Sequence, residues 1–151
     1  MKRTKMLCFW ILVSAAIFIL WGGSASAADC PIKIGGLAPL SAPGSVTGGE
    51  AMRDAMNIAV DEINAKGGVN VNGKMRPFKV EVIDTRDLEP GVPVSEALLA
   101  VEKLILDKKA DFIVGGPVRS EAALAAMPLL SKYKKVSILS TGVLTPKYHA
   151  M

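Results

Sequence analysis

Residues 110–129 read ADFIVGGPVRSEAALAAMPL, and this stretch decides the fold. Phe112, Ile113 and Val114 form a bare apolar run, too short for a helix and typical of a parallel strand buried on both faces. Gly115-Gly116-Pro117 breaks the run into a loop. Ser120 stands where a cap would open a helix at Glu121, and Leu124, Met127 and Leu130 are spaced to face inward along it. Pro128 removes one helix hydrogen bond, so this helix either bends there or ends and restarts.

The alternation of strand, loop and helix extends in both directions. Upstream, Ile32–Ala38 predicts a strand closed by Pro39, and the Gly/Ser/Pro-rich residues 39–49 predict a loop. Met52, Met56, Ala59 and Ile63 trace one face of a helix over 50–66, which Gly67-Gly68 stops because glycine takes the left-handed conformation a helix end requires. Asn72-Gly73 marks a turn within a polar region, 69–77. Phe78–Asp84 is a second strand, 87–93 a loop, and Val94, Leu98, Val101 and Ile105 define a helix to about Lys108. Downstream, 136–140 is a fourth strand. The order βαβαβαβ predicts an α/β fold: a parallel sheet with right-handed crossovers and helices on both faces. The last strand has no helix after it, although a parallel strand needs both faces covered. We therefore expect the fold to be interrupted at Met151.

The ends add a second layer. Lys2, Arg3 and Lys5 precede an apolar run over 6–21, followed by small residues ending Ala25-Ser26-Ala27. This is the pattern of a secretory signal peptide, residues 1–27, cleaved after Ala27. A membrane anchor is the alternative, but the run is shorter than the roughly 20 residues a spanning helix needs. Asp29 just before Cys30 is unsuited to lipidation. The precursor has 18 basic and 14 acidic residues, net +4. The three leader cations depart on cleavage, leaving 15 against 14 in residues 28–151. Nothing in that balance suggests a nucleic-acid surface. Cys8 leaves with the leader, so Cys30 is the one mature cysteine. Either its partner is missing or it is a buried free thiol.

In an open α/β sheet, ligands bind at the carboxyl ends of the strands, so candidate residues are sought in the loops there. Arg119 supplies a forked cation and Ser120 a hydroxyl at a helix start, together a plausible carboxylate site; an ordinary capped helix uses the same residue types. Thr141 and Gly142 suit an amino-acid head group, and equally a plain strand-to-helix turn. Thr47 offers a weaker polar contact. Asp84 and Asp87 admit a metal or phosphoryl reading, against solvated loop acids. His149 lacks partners at metal spacing, and no nucleophile–base pair or phosphate-loop signature is present. No cofactor, metal or catalytic residue is assigned.

The stretches IKIGGLAPLSAPGS, GGEAMRDAMNIAVDEINAKGGV, FKVEVIDTRD, ADFIVGGPVRSEAALAAMPL and VSILSTGVLTPKY cover nearly all of residues 31–148. In combination the chain resembles the N-terminal lobe of type I periplasmic binding proteins, the leucine/isoleucine/valine-binding branch. The resemblance implies two α/β lobes with a ligand between them, docking on the membrane permease subunits of an ABC importer in the periplasm. It also implies contacts from a serine after the third strand, matching Arg119 or Ser120, and from small or hydroxyl residues after the fourth, matching Thr141, Gly142, Leu144 and Thr145. The family's first-loop aromatic falls near Thr47 and is absent. Arg119 and Leu144 also depart from the pattern, which puts a branched-chain ligand in doubt and leaves open a larger or aromatic carboxylate. The expected function is a non-enzymatic binding protein for an amino acid or related small carboxylate. A ligand-sensing domain of the same fold, an exported α/β enzyme and an inert fragment are the alternatives.

Overall fold

A computed structural model describes residues 30–44 and 46–140. The expected signal peptide lies outside the described residues. The elements are β1 (Ile32–Ala38), α1 (Val46–Ala65), β2 (Val69–Val71), β3 (Lys74–Arg76), β4 (Phe78–Asp84), α2 (Val94–Leu106), β5 (Phe112–Gly115), α3 (Ser120–Lys132) and β6 (Val136–Leu139). Four parallel strands form one sheet in the order β4-β1-β5-β6. The expected βαβαβαβ order holds.

Three local expectations change. Helix α1 starts at Val46 rather than Glu50, so Thr47 sits in its first turn and not in a loop. The region 69–77 holds an antiparallel hairpin, β2–β3. Asn72 and Gly73 at its tip both have positive φ, 53° and 82°, as a two-residue hairpin turn requires. Helix α3 runs unbroken through Pro128.

Side chains alternate across the sheet with the strand period of two. Leu37 and Ile113 point to one face and join Val101, Leu104 and Ile105 of α2 and Ala126 of α3 in the buried core. In α3 the buried positions are Ala122, Ala123 and Ala126, with Leu124, Met127 and Leu130 only half-buried. Leu130 packs against the core as expected while partly exposed, and the fully buried positions of α3 are alanines, whose small side chains permit close approach to α2. Helix α1 covers β1 and β4 on the other face, where Val60 is buried. Right-handed crossovers account for this division: β1 to β4 runs one way along the sheet, β4 to β5 to β6 the other.

The α1 side of the sheet is open over β5 and β6 among the described residues. Val136 and Ile138, aligned with Phe112 and Val114, are 67% and 56% exposed. Beside them a groove of about 560 Å³ runs along Met52, Met56, Ala59 and Ile63 of α1.

Candidate functional site: three braced loops at the strand ends

Because the strands are parallel, Ala38, Asp84, Gly115 and Leu139 all end at one edge of the sheet. The loops that follow β1, β4 and β5 meet there. Two carboxylates tie them together.

Asp84, half-buried, braces the first loop. Its Oδ1 accepts from the Leu40 amide at 2.7 Å and the Arg86 amide at 3.0 Å, and its Oδ2 accepts from the Ser41 hydroxyl. Partial burial pushes this carboxyl up, but the hydrogen bonds from Ser41 and from the Leu40 and Arg86 amides outweigh it and hold the group below its ordinary value.

Asp87 braces the loop before α3. It is 2% exposed. Its Oδ1 accepts from the hydroxyl of fully buried Thr85, and its Oδ2 accepts from the Arg119 amide at 2.7 Å. Arg119 is the residue at which α3 begins, in an extended conformation and without a side-chain cap. Asp87, 32 residues upstream, thus takes the amide of the N-cap residue itself, one of the donors a helix start leaves without an intrahelical partner. Arg119 returns the link: its Nη1 donates to the Val92 carbonyl at 3.2 Å. Asp84 and Asp87 are not solvated loop acids; both are hydrogen-bond acceptors that organise the edge.

The glycines also change meaning. Gly115 and Gly116 have φ of 94° and 116°. A Cβ on Gly115 would collide with the Leu37 carbonyl oxygen, and one on Gly116 with the Leu139 side chain. Their bareness serves close packing of the strand ends. The connection is finished by Ser140, whose amide donates to the Gly115 carbonyl at 3.2 Å.

Of the sequence-derived residues, the structure puts Arg119 and Ser120, both half-buried, at the start of α3. Thr47 is exposed in the first turn of α1. Thr141, Gly142 and Thr145 lie outside the described residues. Thr85 and the link from Asp87 to the Arg119 amide were missed. The only available signal was an acid two residues past a buried threonine at a strand end, which gives no hint of a partner so far along the chain. Cys30 is exposed and its thiol is free, which removes the reading of a buried thiol; its carbonyl accepts from both Nε and Nη2 of Arg76.

A family model described as periplasmic binding protein matches residues 31–150. The chain belongs to the periplasmic binding protein family. Among its relatives, this periplasmic binding protein is 45% identical over 58 residues to the Leu/Ile/Val-binding protein homolog 7 of Brucella abortus, a match that covers 38% of the chain and 14% of the relative. Among solved structures it is similar to the branched-chain amino acid transporter substrate binding protein LivJ from Streptococcus pneumoniae, in complex with isoleucine. That similarity has a TM-score of 0.63 and 29% identity, covering 80% of this chain and 32% of the other. An ABC transporter substrate-binding protein from Sphaerobacter thermophilus matches with a TM-score of 0.59 and 25% identity, covering 76% and 28%. The chain thus spans about a third or less of the length of these relatives. Family and fold are those of solute-binding proteins, not of enzymes.

Proposed function

We propose that this chain supplies one wall of the ligand cleft of an exported solute-binding protein, which delivers an amino acid or related small carboxylate to the permease of an ABC importer. On this reading residues 1–27 are a cleaved signal peptide, 28–151 belong to the N-terminal lobe, and the protein works in the periplasm. The observation that carries it is the braced edge: three loops at the carboxyl ends of parallel strands, cross-linked through Asp84 and Asp87, with Arg119 and Ser120 at a helix start. Such an edge is where open α/β sheets take ligands. The isoleucine held by the streptococcal neighbour supports the ligand class.

Arg119 and Ser120, with Thr141, Gly142, Thr145 and Thr47, are the proposed contacts. A helix start contributes about 0.3–1 kcal/mol to an anion, and one charged hydrogen bond about 1.5–3 kcal/mol. Together these give millimolar affinity at best, so a useful Kd requires a second wall.

Thermal-shift titration of the two-lobed protein to which residues 28–151 would belong, with amino acids and aromatic carboxylates, tests the reading. At a ligand concentration about ten times a millimolar Kd, the stabilisation should be about 1.4 kcal/mol. Arg119→Ala should weaken binding of an anionic group about tenfold or more. Absence of stabilisation by any small carboxylate would sink the proposal, and unchanged affinity in Arg119→Ala would remove Arg119 from it.

A further inference from the structure

We propose that the outer face of α2 is a self-association surface, on which a second copy of this protein docks about a two-fold axis. The inference does not involve the strand-end loops and stands apart from the ligand reading.

Helix α2 turns Ala97, Ala100, Val101, Leu104 and Ile105 into the core. Leu99 and Leu106 lie on its opposite side, 57% and 46% exposed. They are seven residues apart, so about 10 Å separates them along one stripe of the helix. A surface helix ordinarily carries polar residues on that side. The exposed Ile58 and Met75 stand singly, as scattered surface hydrophobics do; the two leucines of α2 share one face. Between them a hollow of about 330 Å³ is lined by Leu99, Glu102, Lys103, Leu106 and Asp107. Glu102 and Lys103 come three and four residues after Leu99, which places both at mid-height on the same stripe. Neither is in an ion pair among the described residues.

Symmetry and charge select the occupant. Let two copies of α2 pair antiparallel about an axis that passes between Glu102 and Lys103. Leu99 then meets Leu106 of the second copy, and Leu106 meets its Leu99. The same register sets Glu102 against Lys103 of the second copy, and Lys103 against its Glu102. A single rotation matches both leucine pairs and both charge pairs, as an isologous contact requires. Two helices touching over about three turns bury less than the roughly 1,200 Å² of a standard interface. The dimer is therefore weak, and is sought at protein concentrations up to about 1 mM.

Sedimentation equilibrium of the two-lobed protein to which residues 28–151 would belong, without ligand, measures the dimer constant. The wild type should dimerise. Leu99→Glu should weaken the dimer about a hundredfold or more, because symmetry counts each lost leucine contact twice, and should leave the thermal melt of the monomer unchanged. Glu102→Lys and Lys103→Glu should each weaken it about tenfold, since each sets two like-charge pairs face to face. The double variant carrying both changes should recover the wild-type constant. An equimolar mixture of the two single variants should form mixed dimers more tightly than either variant pairs with itself. A merely structural role for these surface side chains gives neither recovery nor mixed pairing. A wild type that stays monomeric to about 1 mM would overturn the inference, whether another part of the chain covers the face or nothing does. A dimer that Leu99→Glu leaves intact, or a double variant no tighter than the singles, would overturn it as well. The charge variants decide the matter even where Leu99→Glu fails to fold.

Discussion

Replacing Asp87 by alanine removes the acceptor of two hydrogen bonds at once. The donors left behind are the Thr85 hydroxyl, fully buried, and the Arg119 amide at the start of α3. Thr85 has no exposed surface, and the Arg119 amide is part-buried. An orphaned buried donor costs about 1–3 kcal/mol. Removing a buried charge recovers part of its desolvation cost, which favours the lower half of the summed range, about 3 kcal/mol. That is a large share of the 5–15 kcal/mol typical of a folded domain. Urea unfolding at neutral pH is the assay. With a slope of about 1–3 kcal/mol per molar, the midpoint should fall by about 1–3 M with the slope unchanged. Thr85→Val tests the mechanism, because it removes one donor along with its need for an acceptor. The double variant should therefore lose less than the sum of the single losses, with a coupling of about 0.5–3 kcal/mol. A loss under about 1 kcal/mol for Asp87→Ala, or strict additivity in the double variant, would show that the brace carries no weight.

Other outcomes follow from the same structure. Asp84 is held below its ordinary value, so its stabilising contribution is complete above the unfolded carboxylate pKa of about 3.9 and is lost as pH falls through the lower folded value. Ser41→Ala should therefore destabilise at neutral pH by an amount that shrinks towards strong acid; an equal deficit at both ends of a pH series of urea melts would contradict this. Gly115→Ala combines a left-handed φ of 94° with a collision against the Leu37 carbonyl oxygen, and should lower stability by about 2–4 kcal/mol in thermal melts. Leu104→Ala empties a fully buried position between α2 and the sheet, and should cost about 2–5 kcal/mol in the same assay. Ile58→Lys, at a residue 60% exposed on α1, should leave stability within about 0.5 kcal/mol.

The amino-acid sequence by itself determined the order and kind of the main elements, because both are written in short-range periods. The four-residue and three-residue steps of Met52, Met56, Ala59 and Ile63 suffice for a helix, and the apolar run before Gly115 suffices for a buried strand. The same local marks placed Arg119 and Ser120 at a helix start and supported the family resemblance that the comparisons bore out. The Asn72-Gly73 turn was legible too, but strands of three residues are too short for alternation to announce them. Tertiary structure alone decided the strand order β4-β1-β5-β6, the buried alanines of α3, and the close packing that the paired glycines at 115 and 116 permit. It alone joined Asp87 to the Arg119 amide across 32 positions. Those features depend on which surfaces meet after the chain has folded back on itself. A period of two or of 3.6 residues fixes which side a residue faces, and says nothing of what waits on that side.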